Sequence, residues 1–132
     1  MINTHEEINR VLELKTWAIL GLSNNSDRAA YSVAALLQEK GHTIIPVHPK
    51  AESVHGQKGY ATLEEIPVEV DVVDFFINSD LVSRNVDRAI EIGAKAIWLQ
   101  LGVIDEESVQ RAEQAGLIAI MDRCPAIEYG KR

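Results

Sequence analysis

A glycine, two hydroxyls, two amides and an arginine follow one another within eight residues of this chain: Gly21, Ser23, Asn24, Asn25, Ser26 and Arg28. They come directly after the apolar run Trp17-Ala-Ile-Leu20 and directly before a helical pattern. Glycine there lets the backbone approach a ligand, the next residues offer N–H and O–H donors at a helix start, and the guanidinium adds a charged fork. This is chemistry for holding phosphate. The spacing is not the dinucleotide fingerprint G-x-G-x-x-G, because Ser23 and Ser26 stand where the second and third glycines would fall. A tight turn beside a solvated arginine is the plainer alternative.

A second group follows the next apolar run, in Pro46-Val-His-Pro-Lys50. Proteins that bind NAD through a ribose hydroxyl usually carry Asp or Glu at this place, whereas here His48 and Lys50 stand ready to neutralise an anion. The change suits a ligand with phosphate on its adenosine ribose, such as coenzyme A or NADP, with Val47 and Pro49 in apolar contact with adenine. A solvated lysine and a loop histidine are the alternative. Further along, Asn78 is open to a ligand, while Ser79 and Asp80 are expected to cap the following helix. Gln100 lies close to Gly102, and Trp98 is read as core. Cys124 sits beside Arg123, an arrangement that can lower a thiol pKa, although a lone cysteine is commonly a small buried apolar residue.

These groups must be positioned by something, and the intervening pattern says what. Apolar runs at 17–20, 43–47, 72–77, 96–101 and 117–121 are Ile- and Val-rich and do not alternate with polar residues, as expected of parallel strands buried on both faces. Helical patterns at 29–40, 81–92 and 105–115 are followed by Gly41, Gly93 and Gly116, where a helix would stop. The connection between 47 and 70 holds one short helix at 63–66, capped by Thr62 and stopped by Pro67. A further amphipathic helix over 4–14, capped by Thr4, packs on the domain, so 1–15 is not a separate unit. The fold class is therefore α/β: a Rossmann-like three-layer arrangement around a five-stranded parallel sheet, one domain over 1–132. In such sheets ligands gather beyond the carboxyl ends of the strands, where all of the candidate residues fall.

Composition narrows the partners. With 20 acidic against 13 basic residues and a net charge of −7, the chain is unsuited to nucleic-acid or membrane surfaces, yet a local basic spot can hold one phosphorylated small molecule. One cysteine permits no internal disulfide, and no signal sequence or bilayer-length apolar run is present, so the cytoplasm is the expected location. His5, His42, His48 and His55 lack ligand spacing, so no metal site is expected. No nucleophile elbow, P-loop or nucleophile-base pair is recognisable, and no catalytic residue is assigned.

Taken together, Gly21-Leu-Ser23 with Arg28 and Tyr31, Ile45-Pro-Val-His-Pro-Lys50, the stretch 56–60, Trp98-Leu-Gln-Leu-Gly102 and Asp122-Arg-Cys-Pro125 resemble the small stand-alone bacterial CoA-binding proteins. That family is similar to the CoA-binding domain of the succinyl-CoA synthetase α subunit and of ADP-forming acyl-CoA synthetases. The resemblance runs from about Leu14 to Glu128. It implies a Rossmann-like CoA-binding fold with Gly21, Ser23 and Arg28 at the pyrophosphate, and Val47, Pro49 and Lys50 at the adenosine and its ribose phosphate. The pantetheine arm would pass Asn78 and the turn from Gln100 to Gly102 toward Cys124. The synthetases also need a domain with a phosphorylatable histidine and a nucleotide-grasping partner, which this chain is not expected to supply.

The leading expectation is a non-catalytic carrier, sensor or regulatory module for coenzyme A or acyl-CoA, with a protein partner left open. One alternative is an NADP-dependent oxidoreductase, which Lys50 permits. Another is a thiol-redox module in which Cys124 forms a mixed disulfide with coenzyme A.

Overall fold

The computed structural model describes residues 2–132, so of the stretch 1–15 all but Met1 is described. Five parallel strands, β1 (Thr16–Leu20), β2 (Thr43–Val47), β3 (Val72–Phe75), β4 (Ala96–Leu99) and β5 (Ile118–Ile120), form one sheet in the order β2-β1-β3-β4-β5. All pairings are parallel and in register, with Ala18 opposite Ile45 on one side and Val73 on the other. This is the doubly wound order in which the chain reverses direction across the sheet at β1, leaving a crevice beyond the ends of β1 and β3.

Side chains alternate between two apolar layers. Trp17, Ile19, Ile44, Val72, Ala96, Trp98 and Ile120 meet α1 (His5–Leu12) and α2 (Ala29–Glu39) on one face. Ala18, Leu20, Ile45, Val47, Val73, Phe75, Ile97 and Leu99 meet α3 (Val82–Glu91) and α4 (Glu106–Gln114) on the other. Because both faces are covered, the strand interiors are apolar apart from Asp74 in β3, which is why their sequence carries no alternation. Two helices begin as their residue types require: the Thr4 hydroxyl accepts from the Glu7 N–H at 3.1 Å, and Asp105 Oδ1 accepts from the Ser108 N–H at 3.1 Å.

Several expectations are corrected. β3, β4 and β5 are shorter than the apolar runs, because Phe76 and Ile77 turn away beneath the crevice and Gln100 and Leu101 enter a turn. Ser79 and Asp80 do not cap α3: they belong to a single 3-10 turn, Ser79–Leu81, and the Ser79 hydroxyl instead accepts from the Ile104 N–H at 3.1 Å. Thr62 precedes the 3-10 turn Leu63–Glu65 without a side-chain capping bond. A fifth helix, α5 (Pro125–Gly130), follows β5 with proline in its first turn, where a missing N–H costs nothing. No helix among the described residues is long and apolar enough to cross a membrane.

Candidate functional site

The crevice at the strand reversal is a cleft of about 390 Å³. Its floor is Leu20 and Val47 at the ends of β1 and β2, together with Leu63. One lip is formed by Gly21 and Arg28 and another by His48 and Pro49; Phe76, Ile77 and Asn78 close the side beneath β3. The remaining wall is α3.

Gly21 explains how backbone reaches this place. Its N–H donates to the Val47 carbonyl at 2.8 Å, its φ is +90°, and a Cβ added to it would lie 2.3 Å from the Phe76 carbonyl oxygen. No residue with a side chain fits without moving the strand ends apart, so glycine is required by both conformation and space. Arg28, extended in the position preceding α2, makes no side-chain capping bond, and its backbone carbonyl accepts the first-turn Tyr31 N–H at 3.1 Å.

The loop after Gly21 is held from the side. Asn24 Nδ2 donates to the Ser53 carbonyl at 2.9 Å, and the Asn25 and Asp27 N–H groups are accepted by Ser23 Oγ and Asn25 Oδ1 at 3.3 and 3.0 Å. The opposite lip is also braced: the His48 N–H donates to Tyr60 O and the Tyr60 N–H to Pro46 O, both at 3.0 Å. The Lys50 N–H donates to His48 Nδ1 at 3.1 Å, which sets the turn that carries the lysine.

Of the residues singled out from sequence, Gly21, Arg28, Val47, Pro49 and Asn78 meet in the cleft lining. Ser23, Asn24 and Lys50 stand outside the lining, in the turns that carry the lips. Gln100, Gly102 and Cys124 are placed elsewhere, beyond the ends of β4 and β5. There the Gly102 N–H donates to Asp122 Oδ1 at 2.8 Å, and Trp98, fully buried, donates through Nε1 to Arg123 O at 2.9 Å. Cys124 is 9% exposed, at the residue preceding α5.

Sequence reasoning missed Arg84, Asn85 and Arg88, which line the cleft from α3. The signal was present as spacing, since Leu81, Arg84, Asn85 and Arg88 recur at i, i+3, i+4 and i+7 and so form one stripe. Arg28, Arg84 and Arg88 are the charged residues of the lining, and it holds no carboxylate. In a chain with net charge −7, a concave surface whose arginines face no carboxylate in the lining is a focused attraction for an anion.

Among the described residues, two buried side chains with unpartnered polar atoms lie outside this cleft. Asp74, in the middle of β3, is 0% exposed with neither carboxylate oxygen hydrogen-bonded, and burial pushes its carboxyl well above the usual range. Gln100, 5% exposed, leaves Oε1 without a partner. At the amino end of the sheet a second hollow of about 280 Å³ is lined by Lys40, His42 and Tyr129, where His42 Nε2 meets the Tyr129 hydroxyl at 2.5 Å. Among the described residues no cluster of His, Cys, Asp and Glu could hold a metal ion.

Comparison with known proteins bears directly on the cleft. The family described as "CoA binding domain" matches residues 15–130. The chain belongs to the CoA-binding domain family. Within it, the chain is 34% identical to the protein YneT of Bacillus subtilis over 124 residues, spanning 93% of this chain and 92% of that one. It is 29% identical over 117 residues to the α subunit of the ADP-forming acetate–CoA ligase II of Pyrococcus furiosus; this covers 87% of the chain but 24% of the subunit. Among solved structures, a hypothetical protein from Pyrococcus horikoshii superposes with a TM-score of 0.92 at 36% identity, covering 98% of this chain and 92% of that one. A Thermus thermophilus protein matches with a TM-score of 0.90 at 26% identity, covering 98% of both chains. The three-layer α/β fold expected for a CoA-binding domain is thus the fold this chain has.

Proposed function

We propose that the cleft binds coenzyme A or an acyl-CoA, and that the protein serves as a non-catalytic carrier, sensor or regulatory module for it in the cytoplasm. The observation that carries this reading is the carboxylate-free lining with Arg28, Arg84 and Arg88, set at the strand reversal of a CoA-binding domain. The residues fit such a ligand: Gly21 packs on the Phe76 backbone and so carries the chain into the lip with no side chain of its own, and the apolar surfaces of Val47 and Pro49 adjoin it. When bound, coenzyme A supplies a thiol that carries an acyl group as a thioester.

In this reading the protein's own groups bind and orient. Gly21 admits the diphosphate close to the backbone, with Ser23, Asn24 and Arg28 as donors around it. Val47 and Pro49 take the adenosine, and Lys50 adds positive charge for the ribose phosphate from the rim. Asn78, in the lining just after β3, would start the pantetheine path toward Gln100, Gly102 and Cys124.

Isothermal titration of ligand-stripped protein with coenzyme A, dephospho-CoA and NADPH tests the reading. Micromolar binding of coenzyme A, weaker for dephospho-CoA, is expected. Clear binding of NADPH with none of coenzyme A would overturn it in favour of a redox enzyme.

A further inference from the structure

We infer that Arg84 and Arg88 form a second cationic subsite inside the cleft, which takes the phosphomonoester on the ligand's ribose, and that Glu64 occupies Arg88 until this phosphate arrives. The inference rests on the CoA reading of the cleft and adds to it a wall of the site made by α3.

The fold turns this stripe inward. Val82, Val86 and Ala89 are fully buried against the sheet and fix the rotation of α3. With that face inward, the flanking stripe of Leu81, Arg84, Asn85 and Arg88 borders the crevice, with Leu81 and Arg84 exposed at its mouth. Arg84 and Arg88 are one turn apart, so their guanidinium groups can grip one anion together. Arg28 reaches the same hollow from the far lip.

Charge balance supports a missing anion. Among the described residues, no carboxylate lies within ion-pair distance of Arg28 or Arg84. Arg88 has one, Glu64 Oε1 at 3.4 Å, with the two side chains 38% and 45% exposed. A pair this open to water contributes little, so a better anion displaces it readily. A phosphomonoester carries about two negative charges near neutral pH and offers several acceptor oxygens, where a carboxylate carries one charge. A diphosphate held at Gly21 and Arg28 would leave the α3 arginines free for this separate group. Lys50, outside the lining, would act on it only from the rim.

The test is titration of coenzyme A and dephospho-CoA into wild type, Arg84→Ala, Arg88→Ala, Arg88→Lys, Lys50→Ala and Glu64→Gln. Removing either arginine is expected to weaken coenzyme A by about tenfold while changing dephospho-CoA by less than about twofold. Arg88→Lys should retain most of the preference, and Glu64→Gln should tighten coenzyme A by about twofold. Circular dichroism melts confirm that each variant is folded, as expected for exposed positions. Equal binding of the two ligands by wild type overturns the subsite and leaves the CoA reading standing. So does a preference that survives both alanine variants but is lost in Lys50→Ala. Weaker coenzyme A binding by Glu64→Gln overturns the displacement by phosphate. Absence of binding by either ligand to wild type overturns the subsite and the CoA reading together.

Discussion

Replacing Gly21 by alanine should cost far more than the same change at Gly102, although both glycines follow strands and both have positive φ, +90° and +78°. At Gly102 an added Cβ meets nothing within 4 Å, so the cost is backbone strain alone, about 1 kcal/mol. At Gly21 the Cβ would lie 2.3 Å from the Phe76 carbonyl oxygen and 3.1 Å from its carbonyl carbon. That is about 1 Å inside an ordinary C···O contact of roughly 3.3 Å. The obstacle is backbone and cannot rotate away: the Phe76 N–H is tied to Leu20 O at 3.0 Å and the Gly21 N–H to Val47 O at 2.8 Å. Overpacking of this kind costs about 1–3 kcal/mol and the strained φ about 1 kcal/mol more, as at Gly102, so we expect about 3 kcal/mol in sum. For a domain of this size that is a fall in Tm of about 12 °C, against about 4 °C for Gly102→Ala. Thermal unfolding followed by circular dichroism reads both. Equal shifts in the two variants would refute the claim that the cleft depends on a glycine packed against β3.

Three further outcomes follow from the same structure. Arg28→Ala should weaken coenzyme A by about 1.5–3 kcal/mol, roughly 10- to 150-fold, with Tm unchanged; titration that finds wild-type affinity would remove Arg28 from the site. Asp74 holds its proton in the folded state at pH values where an unfolded carboxyl, with a pKa of about 4, has released it. The folded state therefore loses stability from this group as pH rises above about 4, and Asp74→Asn should flatten the fall between pH 4 and 8 in urea unfolding; parallel curves for the two proteins would contradict this. For His42, burial lowers the imidazole pKa below 6.5, against opposing hydrogen bonds to Leu14 and Lys15 and the charge of Glu13. Its contribution is present above that value and lost as pH falls through it, so His42→Phe should show a smaller loss of stability between pH 7 and 5 than wild type.

The sheet was legible because burial on both faces writes each strand as an unbroken apolar run, and because glycines mark the helix ends. The lips of the cleft were legible for a related reason: Gly21, Val47, Pro49 and Asn78 lie at or just beyond strand ends and Arg28 at the start of the helix that follows β1, where topology gathers them. The α3 wall was not. Arg84 and Arg88 read as an ordinary solvated stripe, and only the rotation fixed by Val82 and Val86 aims them at the crevice. Nor was α5, since Pro125–Gly130 is too short for its periodicity to stand out. Ser79 illustrates the opposite case, a residue with capping chemistry diverted by a tertiary bond to Ile104. Asp74 was the one visible irregularity in an apolar strand, and no local pattern states that such a carboxyl stays buried without a partner.

The central claim is that coenzyme A binds at the strand-reversal cleft, and amide chemical-shift mapping during a coenzyme A titration tests it most directly. We predict saturable shifts at Gly21, Arg28, Val47, His48, Asn78, Arg84 and Arg88, with Lys40, His42 and Tyr129 at the opposite hollow unmoved. Shifts confined to that opposite hollow, or none at all at millimolar ligand, would contradict the account.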